Sequence, residues 1–223
     1  MWNLLGNSGR QVIVLLGFGI AAARADVIAI RSGSDLTGTT EWNNRTGADV
    51  AIDVYAEPIW KAPVGGAKWI SYGLTGPGQN SVASTILVEG VVTGPPTASF
   101  YATFFLPNPS VSGQLHVWAD DTAAVFLDGI MRIDITSPIA RATYCAQAPV
   151  SCTPEMGGSV DLSGLGAGLH TVEIQAWQIW GDTFGVLYEG NVSVAAVPEP
   201  AGFFLLLPVV AGVIAWGKRR SRV

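Results

Sequence analysis

The residues of this chain with the means to do chemistry are few: a paired Asp120-Asp121, two histidines (His116 and His170) and eight tryptophans. Neighbouring residues on a strand point to opposite faces, so the Asp pair reads less as a carboxylate dyad than as a turn ligand set or a capped corner. Asp120, Asp121 or Asp128 could instead supply oxygens to a structural calcium, a hard cation that takes carboxylate and carbonyl ligands. His116 has the type of a general base. Two places from Trp118 on a strand, it reads more simply as a hydrogen-bonded structural residue. The chain has no Gly-x-Ser-x-Gly elbow, no His-Glu-x-x-His, no phosphate loop and no dinucleotide fingerprint. No catalytic residue is assigned, and the expectation is a protein that is not an enzyme.

A binding face is the sharper reading. Gln114, His116 and Trp118 fall on one side of a strand, and Glu173, Gln175 and Trp177 on one side of another. Paired side by side, the strands would offer two rings and several polar groups to a saccharide. The alternative is that both indoles fill a core. Accessibility of Trp118 and Trp177 separates the two.

The elements that must position these residues read as short strands. Val27 to Arg31 opens the body. Residues 50–55, 67–72, 84–92 and 98–106 follow, punctuated by Pro63, Gly65-Gly66, Gly76-Pro77-Gly78 and Gly94-Pro95-Pro96. Residues 114–119 and 123–127 come next, then Asp128-Gly129, a pair suited to a two-residue type I′ turn, and the return strand 130–133. Residues 170–180 and 184–194 read as the last two strands. No stretch of the body keeps a 3.6-residue apolar period, so helix should be scarce. Together these predict an all-β protein with an antiparallel β-sandwich body over residues 26–196.

Charge and cysteines narrow the setting. Residues 26–200 hold six Lys and Arg against all seventeen Asp and Glu, a formal charge of −11. Such a surface repels phosphate backbones, so nucleic acid is not an expected partner. Cys145 and Cys152 are the only cysteines. Their spacing in an exported chain reads as a disulfide stapling a short loop.

Both ends are directed at membranes. Arg10, the apolar run 12–23 and Ala23-Arg24-Ala25 have the order of a signal peptide, a helix ended by a small-residue cleavage site after Ala25. Residues 201–217 are 17 residues without a charge, followed by Lys218-Arg219-Arg220. As a helix they cover roughly 25 Å, the short end of a bilayer span, with the cations holding the tail in the cytoplasm. Pro198-Glu199-Pro200 is an extended segment just outside that span.

An export signal at one end, with Pro-Glu-Pro, an apolar helix and a basic terminus at the other, resembles the PEP-CTERM class of exported bacterial proteins. The match covers residues 197–223, with Pro198, Glu199, Pro200, Lys218, Arg219 and Arg220 as its sorting motif. The resemblance implies signal peptidase and a membrane cysteine peptidase, exosortase, as processing partners. It further implies an inner-membrane precursor with one transmembrane helix, then a place in the cell envelope or outside the cell among extracellular polysaccharide. Within the body, Trp118-Ala119-Asp120-Asp121-Thr122, Val125-Phe126-Leu127-Asp128-Gly129 and Gly166-Ala167-Gly168-Leu169-His170 are similar to galactose-binding-like jelly-roll modules. Such folds bind sugars, bind calcium, or only pack. The expectation is a surface or matrix protein, with a carbohydrate-binding module as the alternative.

Overall fold

The computed structural model describes residues 26–33, 41–43, 48–84, 87–88, 91–92, 94–135 and 149–196, all within the compact unit Ala25–Val197. The signal segment, the Pro198-Glu199-Pro200 motif, the apolar tail with its basic end, and Cys145 lie outside the described residues. Among the described residues no helix is long and apolar enough to cross a membrane.

The body is all-β. In chain order the strands are β1 (Val27–Arg31), β2 (Glu41–Asn43), β3 (Ala48–Val50), β4 (Ile52–Asp53), β5 (Ile70–Ser71), β6 (Leu87–Val88) and β7 (Val91–Val92). There follow β8 (Ala98–Leu106), β9 (Ser110–Asp120), β10 (Thr122–Leu127), β11 (Ile130–Ile133), β12 (Gly158–Asp161), β13 (Gly168–Trp177) and β14 (Gly185–Val194). One antiparallel sheet runs β12-β9-β14-β5-β4, with β1 also on β14, and the other runs β11-β10-β13-β8-β2-β3. Strands β6 and β7 form a small hairpin of their own.

Alternation explains why these two sheets stack. On β9, Leu115, Val117 and Ala119 are fully buried while Gln114 is exposed and His116 half-buried. On β13, Val172, Ile174 and Ala176 are buried while Thr171, Glu173 and Gln175 are half-buried on the other face. These inward sets meet Phe100 and Leu106 of β8, Val125 of β10 and Val186 and Tyr188 of β14 in one core. Each such aliphatic or aromatic side chain contributes about 1.5–3 kcal/mol by leaving water.

The outer face of the first sheet is covered as well. Residues 54–69 cross it, and Trp60, Ala67 and Trp69 pack with Trp118, Cys152 and Leu187 into a second cluster. Cys152 is buried and disulfide-bonded, and Cys145 is the only other cysteine in the sequence.

The strand reading holds for the long strands and fails at short or irregular ones. β12 lies where none was expected, in a Gly-rich stretch whose pairing partner, β9, is distant in sequence. β13 stops at Trp177 rather than running to Trp180, because Gly181 at φ 74° and the loop before it turn the chain away. The Asp128-Gly129 turn forms as expected, both residues at positive φ (53° and 75°).

That turn is latched to the start of β13. Asp128 Oδ2 lies 2.7 Å from His170 Nδ1, Asp128 Oδ1 accepts the Thr171 N–H at 2.9 Å, and His170 Nε2 lies 2.9 Å from the Gly166 carbonyl oxygen. Both ring nitrogens face acceptors, which suits the doubly protonated imidazolium. Burial by itself would lower the His170 pKa, but the bonds to Asp128 and to the Gly166 carbonyl outweigh it and leave it raised. Burial likewise opposes, and His170 with the Thr171 N–H outweighs, so Asp128 is held below the usual carboxylate range.

The two groups set opposite ends of one pH window. The His170 contribution is complete below the ordinary histidine value of 6.5 and is lost as pH rises through its raised pKa. That of Asp128 is lost only as pH falls through its lowered one. Melting followed by circular dichroism should therefore fall by a few degrees as pH rises above 6.5, and the fall should shrink in His170→Gln. An unchanged step in that variant would assign it elsewhere.

Candidate functional site

The two ladders that carry the longest strands end at one corner of the sandwich. β9 closes on Asp120, opposite Gly185 of β14, and β10 opens on Thr122, opposite Trp177 of β13. Asp121 lies between the strands, in neither, so strand alternation does not govern the pair. The Asp120–Asp121 peptide is cis. The side chains do not part to opposite faces as the sequence suggested: both are buried (5 % and 2 % exposed) and both line one cleft.

Each carboxylate is fixed by a different part of the loop that follows β13. Asp121 Oδ2 accepts the Ile179 N–H at 2.7 Å and the Trp180 N–H at 3.0 Å, and the Asp121 N–H donates to the Trp177 carbonyl at 3.0 Å. This caps the strand end, as a short acidic side chain does where backbone donors lose their ladder partners. Asp120 Oδ2 accepts the Thr183 hydroxyl at 3.0 Å, and the Trp60 indole N–H donates to the same carboxyl group.

The cleft between them holds about 450 Å³. Its walls come from Glu57, Pro58, Ile59 and Trp60 on one segment and from residues 178–183 on another. Trp180 stands at 39 % exposure and gives it an open aromatic wall. Four of the lining residues are acidic (Glu57, Asp120, Asp121, Asp182), and no Lys, Arg or His is among those described around it.

Electrostatics follow from that composition. Burial first, then the charge of Asp121 and the hydrogen bond with it, push the Asp120 pKa well above the usual carboxylate range. The donors Thr183 and Trp60 offset this only in part. Two carboxylates in one low-dielectric corner do not both keep their charge unless a cation joins them.

Gln178 lines the same cleft, but its amide oxygen is enclosed behind the surface. Gln178 is 2 % exposed; its amide N–H donates to the Thr183 carbonyl, while its Oε1 has no hydrogen-bond partner. An unpartnered buried amide oxygen costs about 1–3 kcal/mol.

The saccharide face expected on Trp118 and Trp177 is not formed. Those strands lie in different sheets, β9 in one and β13 in the other, and both indoles are buried at 6 % exposure. Trp118 packs under residues 54–69 with Lys61 Nζ 5.4 Å from its ring centre, and Trp177 donates its indole N–H to the Gly94 carbonyl at 3.0 Å. His116 stacks against Trp118 at 6.0 Å and meets Ser159 Oγ through Nδ1 at 2.9 Å. Gln175 donates to Glu173 Oε1 at 2.7 Å on the outer face of the second sheet, where the Tyr101 hydroxyl meets the same oxygen at 3.2 Å. The two strands resemble one another along the chain, but each pairs within its own sheet, β9 with β12 and β14 and β13 with β8 and β10.

Asp128 does not share the corner with Asp120 and Asp121. Asp120 and Asp121 precede β10 and Asp128 follows it, a separation of roughly 20 Å at ~3.3 Å per residue, and Asp128 is engaged with His170. Among the described residues no group of three or more His, Cys, Asp or Glu could hold a metal ion. A calcium at the corner would rest on two carboxylates, with water or ligand oxygens completing the six to eight that this ion takes.

Sequence reasoning missed Gln178, Trp180, Thr183 and the wall of Glu57 to Trp60. The signal available was Trp180-Gly181-Asp182-Thr183, a polar, Gly-containing break between two apolar strands, the kind of loop on which binding residues sit.

No protein-family model matches the chain, and no curated protein matches it. A solved structure to which it is similar is the GH31 alpha-xylosidase from Xanthomonas citri, at 8 % identity and a TM-score of 0.29. That match covers 78 % of this chain and spans 17 % of the enzyme's, a likeness too slight to carry fold or activity across.

Proposed function

We propose that this protein is an exported, non-enzymatic β-sandwich module, jelly-roll-like in its strand path, that binds extracellular polysaccharide at the cell surface. The observation that carries this reading is the convergence of two buried carboxyl groups on one cleft beside the exposed ring of Trp180. Acceptors that converge on a cleft suit a polyol whose hydroxyls donate, and an exposed indole suits the apolar face of a sugar ring.

A calcium ion at the corner belongs to the proposal. Asp120 and Asp121 would hold it, with water or ligand oxygens completing its shell. The ion would neutralise the carboxylate pair and offer its remaining positions to sugar oxygens. The fixed carboxylates, each already bound to loop donors, favour a holding role over one that passes protons.

Delivery rests on the sequence. The signal segment 1–25 and the sorting signal 197–223 resemble those of the PEP-CTERM class, and the acid-rich body suits a hydrated matrix. Signal peptidase and exosortase are the proposed processing partners. A membrane-anchored precursor would become an envelope or extracellular protein.

Three outcomes follow. At a calcium concentration about 100-fold above its dissociation constant, melting should rise by roughly 5–10 °C and return on chelation. Asp121→Asn should abolish the rise. Asp120→Asn should abolish it too, yet melt higher than the parent without cation at neutral pH. Its folded pKa is raised, so stability is lost as pH climbs from the ordinary carboxylate value through the raised one, and the amide removes that cost. An Asp121→Asn protein that still gains stability from calcium would overturn the metal site.

Retention on immobilised polysaccharide should weaken about tenfold in Trp180→Ala and stay level in Trp118→Phe, since only the former ring is open. Parent protein that ignores every polysaccharide tried with calcium present would favour a purely structural matrix role. Intact mass of the protein recovered from its native host should lack residues 1–25 and the apolar tail. A full-length mass would reject processing.

A further inference from the structure

The walls of the cleft carry more negative charge than the corner can use. If calcium occupies the corner, its two charges answer Asp120 and Asp121. Glu57 and Asp182, from two different segments, remain as a surplus facing the same space. No Lys, Arg or His is among the described lining residues to offset them.

The donors tell the same story. The Thr183 hydroxyl and the Trp60 indole N–H are spent on Asp120, and the Gln178 amide N–H on the Thr183 carbonyl. Besides the Trp180 ring with its indole N–H, the side chains of the cleft present mainly carboxylate oxygens. A sugar hydroxyl can donate to such a surface, whereas a carboxylate or sulfate meets like charge from Glu57 and Asp182, which opposes the pull of an ion at the corner.

We propose that the cleft discriminates by charge, taking uncharged glycans and rejecting those with carboxylate or sulfate groups. Glu57 and Asp182 are the residues that set the choice. This rests on the saccharide reading of the same cleft and adds the class of sugar to it. The acid surplus of residues 26–200, six basic against seventeen acidic, acts in the same direction at longer range.

The test compares matched polymers that differ only at C6, a glucan with a glucuronan and a galactan with a galacturonan. Binding of the full-length chain in detergent is measured at fixed calcium. The uncharged member of a pair should bind at least about tenfold more tightly at low salt, and the gap should narrow at high salt as screening removes the repulsion. In the E57Q/D182N double variant the uronate-to-neutral affinity ratio should rise severalfold. Equal or tighter binding of the uronate by the parent protein overturns the selectivity while leaving the saccharide site standing. A ratio indifferent both to salt and to the double variant also overturns it. Failure to bind either member of every pair removes the saccharide reading itself, and this inference with it.

Discussion

Two strand registers hold this molecule's corner in place. β9 pairs with β14 from Gly185 opposite Asp120 to Val194 opposite Ser110, and β10 pairs with β13 from Thr122 opposite Trp177 to Leu127 opposite Val172. Every inward residue of the core depends on these alignments, because a slip of one residue would turn Leu115, Val117 and Ala119 outward and Gln114 and His116 in. The same alignments bring Asp120 beside Thr183 and Asp121 beneath Ile179 and Trp180. The candidate site lies where two ladders stop, so the registers that place the core also place its carboxylates.

That determination explains how so unfavourable an arrangement survives. Two adjacent carboxyl groups are driven into a corner where burial and mutual repulsion raise the pKa of one. Exposed, they would separate and hydrate. Here Asp121 is tied by two backbone N–H groups and Asp120 by a hydroxyl and an indole, so neither can leave without exposing donors that the loop after β13 needs. A folded protein tolerates such local conflict where the surrounding structure over-determines it, and such places are commonly functional.

Much of the sandwich could be read from the chain, and the reasons are specific. The residues of β8, β9, β13 and the second half of β14 alternate apolar and polar, β10 is a short apolar run after Thr122, and Asp128-Gly129 marks its own turn. These are local signals, and they were legible. Which strands lie side by side is not local. The similar patterns around Trp118 and Trp177 suggested a common face, although one strand belongs to each sheet. Two buried tryptophans look like two exposed ones in a sequence, because alternation says which way a side chain points and not whether something covers it. Residues 54–69 cover Trp118, and nothing in their composition names that task. For the Asp pair the capped corner formed, with Asp121 accepting two backbone N–H groups, yet both side chains line one cleft because Asp121 lies between strands, where alternation does not apply.

The covering layer joins the hydrophobic packing to the chemistry. Trp60 stacks on Trp69 with ring centres 4.3 Å apart, and its indole N–H reaches Asp120. Trp69 donates to the Lys61 carbonyl at 2.8 Å, and the Lys61 N–H donates to the Cys152 carbonyl at 2.6 Å. Cys152, in the same cluster, is disulfide-bonded. One wall of the cleft is thus anchored by aromatic packing and by a covalent brace, while the other is the capped loop after β13. An ion or sugar bound between them would meet surfaces whose positions are set before it arrives, and little of its binding energy would be spent on ordering them. In this way a loop crossing the back of a sheet, unremarkable in sequence, makes a pair of buried acids into a preorganised site.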